Sequence, residues 1–235
     1  MLHSVITEHI AKVHQQVEQA CHKFSRNPSE VKVLAVSKTQ SAAAVRCAAA
    51  TGQLDFGENY LQEALQKQQD LADLPKLEWH FIGAVQSNKT RDIAENFAWL
   101  HTLDRQKIAQ RLNDQRPPQL PKLKVLIQVN ISNETSKAGV TPQELFLLAE
   151  QVAQLPRLEL CGLMCIPQAA DDFTEQRQAF AKLASLQAEL KQKLPSLNLT
   201  TLSMGMSGDL EAAIAEGSTL VRIGTAIFGA RPPQV

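Results

Sequence analysis

From residue 27 onward the chain alternates eight short β-rich apolar runs with segments of helical periodicity. The runs lie at 31–37, 53–57, 78–83, 97–101, 125–131, 158–164, 199–204 and 219–223. Helical segments follow at 41–51, 59–71, 87–96, 104–115, from Thr141-Pro142 onward, at 172–194 and at 209–216. Strands that alternate with helices pair in parallel, because each helix carries the chain back across the sheet. A count of eight favours closure into a (β/α)8 barrel over an open sheet.

In front of the barrel, Leu2, Ile6, Ile10, Val13, Val17, Cys21 and Phe24 recur at spacings of three and four, which predicts an amphipathic helix packed on the body. The expected organisation is one domain over 1–235, with 1–27 as a packed N-terminal extension. At 235 residues and 44% hydrophobic composition the chain can bury a full core, so disorder and disulfide-stapled miniprotein folds are excluded.

Twenty-four basic residues balance twenty-four acidic ones. Such a chain has no global field to gather polyanions or to lie on an anionic membrane, so neither nucleic acid nor a membrane is an expected partner. No apolar stretch approaches the roughly 18 residues needed to span a bilayer. The first residues lack the cationic and long apolar regions of a secretory signal, so a cytoplasmic protein is expected. Cys21, Cys47, Cys161 and Cys165 form no C-x-x-C pair and read as buried thiols. His3, His9, His14 and His22 scatter around the first helix with no i, i+4 pair, and no metal site is expected.

In a barrel of this kind the chemistry sits at the C-terminal ends of the strands. The first strand ends in Val36-Ser37-Lys38-Thr39, and alternation places Lys38 on the face of Leu34 and Val36. A lysine among apolar neighbours is poorly solvated as a cation, which lowers its pKa from about 10.4 and frees an amine for Schiff-base chemistry. The seventh strand runs through Ser203-Met204-Gly205-Met206-Ser207-Gly208 into a helix, and the eighth ends in Arg222-Ile223-Gly224-Thr225. Two adjacent glycine turns, each with a hydroxyl, suit a phosphate dianion. Asp209 would repel that dianion unless it points away. Arg222 is a donor-only group that an aromatic ring nitrogen would satisfy. Lysine, phosphate cradle and ring-nitrogen donor together describe a pyridoxal 5'-phosphate site.

Five ordered stretches carry a resemblance as well: Leu34 to Thr39; Phe56-Gly57-Glu58-Asn59-Tyr60; Trp79-His80-Phe81-Ile82-Gly83 with Gln86-Ser87-Asn88-Lys89; Gln128-Val129-Asn130-Ile131 with Ser136-Lys137-Ala138-Gly139; and Leu202 to Ser207 with Val221 to Thr225. Together they resemble the pyridoxal phosphate homeostasis protein family, from the first strand to the C-terminus. The resemblance implies a single fold type III barrel like the N-terminal domain of alanine racemase. The cofactor would be a Schiff base on Lys38, with Arg222 at the ring nitrogen and Asn59 near the ring. Ser203, Ser207, Gly224 and Thr225 would hold the phosphate. It also implies a binding protein of vitamin B6 homeostasis, monomeric or weakly dimeric, that stores the cofactor or delivers it to dependent apoenzymes without substantial catalysis. Ala84-Val85 departs from the family, which more often has a leucine before Gln86.

Two other functions use the same residues. One is an amino-acid racemase or lyase using this cofactor, but catalysis at Cα needs an acid or base on the far face, and Tyr60 is the only tyrosine. The other is a cofactor-free Schiff-base aldolase whose phosphate loops grip a sugar phosphate. His80 reads as a core histidine, Lys89 and Arg91 as a solvated face, and Lys137 has no role that its chemistry alone assigns.

Overall fold

A computed structural model describes residues 2–132 and 138–229. Lys137 and the rest of 133–137 lie outside the described residues. Eight parallel strands close into a barrel in sequence order: β1 (Lys32–Val36), β2 (Asp55–Glu58), β3 (Glu78–Phe81), β4 (Trp99–Leu103), β5 (Leu123–Gln128), β6 (Leu158–Met164), β7 (Thr201–Ser203) and β8 (Leu220–Ile223). The ring closes where β1 pairs with β8, with Leu34 opposite Arg222.

The helices are α1 (Leu2–Lys23), α2 (Ala42–Ala49), α3 (Leu61–Asp70), α4 (Thr90–Asn96), α5 (Gln106–Gln115), α6 (Pro142–Ala153), α7 (Phe173–Lys193), α8 (Leu210–Ala215) and α9 (Thr225–Phe228). Local chemistry starts several of them. Ser41 caps α2, Asp172 caps α7, and Thr141 with Glu144 closes a capping box on α6 with Pro142 inside its first turn. The short α9 lies beyond the last expected strand, where four residues are too few to show a period. β4 lies two residues later than expected, and β5 starts two residues and ends three residues earlier, because runs buried on both faces blur alternation at their ends.

One large apolar core joins the outward faces of the strands to the helices. Ile6, Ile10, Val13, Val17, Ala20 and Cys21 bury one stripe of α1 against α2, α8 and α9, whereas Leu2 is half exposed. The lumen is different. Barrel interiors are ordinarily filled by branched apolar side chains, yet here His80, His101, Ser203 and Arg222 are buried beside a small second apolar cluster of Trp99, Leu126, Cys161 and Met164. No helix among the described residues is long and apolar enough to cross a membrane.

Candidate functional site

At the C-terminal mouth of the barrel, a cavity of about 320 Å³ gathers residues from six strands and their loops. Its polar lining is Lys38, Asn59, Ser207, Gly208, Arg222, Gly224 and Thr225; Val36, Ile82, Met164, Ile166 and Met206 form its apolar walls. Larger cavities of about 520 and 570 Å³ open at the N-terminal mouth and beside α1. Neither contains Lys38, so convergence of chemistry rather than volume locates the site.

Lys38 is half-buried two residues past the end of β1. A buried charge cluster fixes the backbone on both sides of it. Lys67 on α3 donates to the Ser37 carbonyl at 2.6 Å, to Glu58 Oε1 at 2.8 Å and to Glu63 Oε1 at 2.5 Å. The Ser37 hydroxyl donates to Glu58 Oε1 at 2.6 Å, and the Thr39 N–H donates to Glu63 Oε1 at 2.7 Å. Thr39 has φ of 63°, a left-handed conformation unusual for a β-branched residue, and the Glu63 contact holds it there. Burial raises the Glu58 carboxyl above its ordinary value, while Lys67 and Ser37 oppose that rise.

Asn59 follows β2, and its Oδ1 is buried with no partner among the described residues. Gly83 lets this segment sit close, since a Cβ there would lie 2.2 Å from the Asn59 carbonyl oxygen.

The two glycine turns lie side by side. Gly205 has φ of 99°, and a Cβ on it would meet Ala213 at 2.6 Å, so only glycine fits between β7 and α8. Among the described residues, no acceptor takes the main-chain N–H of Ser207, Gly208 or Thr225. Asp209 does not line the cavity; its carboxylate turns back to accept the Met206 N–H at 2.6 Å. Its charge stays within that turn and is held on the Met206 N–H rather than in the cavity lining.

Arg222 is 5% exposed and reaches the cavity from β8. Nη1 donates to the Ser203 carbonyl at 2.8 Å and to Ser203 Oγ at 2.9 Å, and Nη2 donates to the Cys165 carbonyl at 3.0 Å. Three of the five N–H groups of a guanidinium are so used. Ser203 is fully buried and stands apart from the cavity lining, its hydroxyl shared between Arg222 and His101. The structure therefore brings Lys38, Asn59, Ser207, Arg222, Gly224 and Thr225 to one cavity and places Ser203 behind Arg222.

Glu58, Glu63, Lys67 and His101 escaped the sequence reading. Glu58 and His101 stand at or just beyond the ends of expected strands, where period-2 alternation is the one available signal. His80 is a satisfied buried residue, bonded to Asp55 and His101. Asp55, Glu78 and His80 bring potential ligand atoms within 4.8 Å of one another, but Lys32 Nζ lies 2.9 Å from Asp55 and already supplies a positive charge there. Cys21, Cys161 and Cys165 are buried, whereas Cys47 is half-buried. Burial pushes the Cys161 and Cys165 thiols up to about 12, far from the thiolate state that redox chemistry needs.

The family model of the alanine racemase N-terminal domain matches residues 9–232. The chain is 59% identical over 228 residues to a pyridoxal phosphate homeostasis protein of Pseudomonas aeruginosa, covering 97% of this chain and 96% of the relative. Its counterpart in Escherichia coli K12 is 52% identical over 228 residues, covering 96% and 97%. Among solved structures, PipY of Synechococcus elongatus with PLP bound superposes with a TM-score of 0.84 at 40% identity, covering 95% of this chain and 100% of that one. An alanine racemase from Corynebacterium glutamicum, with a TM-score of 0.70 at 19% identity over 98% of this chain and 62% of that one, shares the barrel fold. The chain belongs to the pyridoxal phosphate homeostasis protein family, within the alanine racemase N-terminal domain fold.

Proposed function

We propose that this protein binds pyridoxal 5'-phosphate in the Lys38 cavity, holds it covalently but reversibly, and serves vitamin B6 homeostasis by storing it or passing it to dependent apoenzymes. The observation that carries this reading is the convergence on one cavity of a lysine amine, unclaimed main-chain donors and a buried guanidinium. The relatives bear names of the same function, and PipY was solved with PLP bound.

The residues present fit such a cofactor. Lys38 supplies the amine for its aldehyde. The N–H groups of Ser207, Gly208 and Thr225, with the Ser207 and Thr225 hydroxyls, supply donors for its phosphate. The buried Asn59 oxygen lacks a partner among the described residues and offers an acceptor beside the ring. Arg222 offers the ring nitrogen a donor. Ser203 serves by holding Arg222 rather than by touching phosphate.

When bound, pyridoxal phosphate supplies an electron sink for carbanions at an amino acid's Cα, strongest when its ring nitrogen is protonated. Arg222 keeps its protons, since guanidinium has a pKa of at least about 12. Tyr60 is 51% exposed and does not line the cavity, so it puts no phenol on the far face. Both features favour holding over turnover.

Borohydride reduction of the loaded protein followed by peptide mass mapping should place the adduct on Lys38, and an adduct on another lysine overturns the assignment. Incubation with Cα-deuterated amino acids should show little deuterium loss. Exchange on the order of 1 per second or faster would instead mark an enzyme. Transfer to apoenzymes is tested by comparing their activation by loaded protein and by free cofactor at equal concentration.

A further inference from the structure

A continuous chain of hydrogen bonds crosses the lumen from the N-terminal mouth to the cavity. Asp55 Oδ1 lies 3.2 Å from His80 Nε2, and His80 Nδ1 lies 2.9 Å from His101 Nε2. His101 Nδ1 lies 2.9 Å from Ser203 Oγ, which accepts from Arg222 Nη1 at 2.9 Å. β4 and β7 are not neighbours in the ring, so the His101 to Ser203 link spans the interior. His80, His101 and Ser203 have no exposure to solvent.

The ends of this chain are fixed chemically. Guanidinium can only donate, and an ionised carboxylate can only accept. Between them stand one hydroxyl and two imidazoles. If both rings are neutral, each of the three groups brings one proton, which with the Arg222 N–H gives one proton to each link. A single direction satisfies every link: Arg222 donates to Ser203, Ser203 to His101 Nδ1, His101 Nε2–H to His80 Nδ1, and His80 Nε2–H to Asp55. Reversing a middle link leaves a proton facing a proton, and the low dielectric of the lumen makes that costly. Burial favours neutral rings in both histidines, and the charge of Arg222 adds to the effect at His101.

We propose that His101 is a positioning residue for the cofactor site, acting through Ser203 to hold the Arg222 guanidinium so that the N–H groups left over by Ser203 and Cys165 face the bound ring, with His80 and Asp55 anchoring the far end of the chain. By accepting the Ser203 O–H, His101 leaves a lone pair of Ser203 Oγ to face Nη1. Without that acceptor the hydroxyl hydrogen is free to turn toward Arg222. The proposal rests on the cofactor reading above for its consequence, though not for the chain of bonds itself.

Long-range proton–nitrogen NMR of the ¹⁵N-labelled, unloaded protein reads both rings directly. His80 and His101 should each be neutral and protonated on Nε2. A charged ring, or a proton on Nδ1 of either, overturns the chain. In the loaded protein, Ser203→Ala and His101→Leu should shift the visible band of the bound cofactor and weaken its retention about tenfold, the size expected for one misdirected hydrogen bond. His101→Gln, which keeps a donor and an acceptor, should recover most of both. An unchanged band and affinity in folded Ser203→Ala overturns the positioning role even if His101→Leu fails to fold. If the unmutated protein takes up no cofactor, the reading of the cavity fails while the NMR result still decides the chain.

Discussion

Lys67 Nζ lies 2.6 Å from the main-chain carbonyl of Ser37, so an ammonium on α3 grips the residue immediately before Lys38. The grip is costly to build. Lys67 has a side-chain exposure of 6% and its partner Glu58 of 0%, and burying an ion pair takes two charges out of water. What it provides is geometry: Ser37, Glu58, Glu63 and Thr39 are tied into one network around the strand end that carries the reactive lysine.

Removing the cation alone should therefore be severe. Lys67→Met leaves Glu58 buried without its counter-charge and should destabilise the fold by roughly 3 to 5 kcal/mol. Denaturant unfolding measures this, and a loss below about 1 kcal/mol would mean the pair contributes little.

Glu63 separates the positioning effect from the stability effect, because its carboxylate is partly solvated and reaches the Thr39 N–H. Glu63→Ala should cost about 1 to 3 kcal/mol of stability and let Thr39 leave its left-handed conformation. Retention of cofactor on Lys38 should then fall, with Glu63→Gln, which keeps the acceptor oxygen, close to wild type. Equal retention in all three proteins would show that the Thr39 backbone does not set the lysine.

The sequence carried Lys38 and Arg222 legibly because alternation along a strand reaches both: Arg222 lies on β8, paired with Leu34, and Lys38 lies two residues past β1 and continues the face of Leu34 and Val36. The glycine turns were legible for a similarly local reason, since Gly205 meets a backbone requirement that no other residue meets. Ser203 was not. Alternation turns it inward but does not say what waits across the lumen, and the answer is His101, 102 residues away. The Glu58 to Lys67 contact was hidden likewise, for it depends on how deeply α3 packs against the end of β1.

At the phosphate turns, Thr225 offers both a hydroxyl and an unclaimed N–H. A hydrogen bond to a charged group contributes about 1.5 to 3 kcal/mol, so Thr225→Val should weaken cofactor binding roughly 10- to 150-fold. Inorganic phosphate should compete with the cofactor in wild type. Unchanged affinity in the variant would move the phosphate elsewhere.

Stability should fall in acid through the lumen groups, and the sign follows from their shifts. Burial lowers His80 and His101 below their ordinary value of 6.5, so the folded state resists protons that the unfolded chain accepts, and stability is lost as pH drops below that value. Asp55 adds a second step. Burial alone would raise its carboxyl, but bonds from His80 and Lys32 outweigh that and bring it from 3.8 down to about 2. Its contribution is full above pH 3.8 and lost toward pH 2, amounting to roughly 2 kcal/mol. Glu58 and Asp209, raised mainly by burial, act in the opposite sense, so a subtraction is needed to isolate Asp55. Guanidinium unfolding of wild type and Asp55→Asn from pH 8 to pH 2 supplies it: the variant should be less stable by about 2 kcal/mol at neutral pH, with the gap closing below about pH 4. Wild-type stability that stays flat from pH 8 to pH 5 would contradict buried, neutral histidines. A gap that persists unchanged at pH 2 would mean Asp55 acts by shape and not by charge.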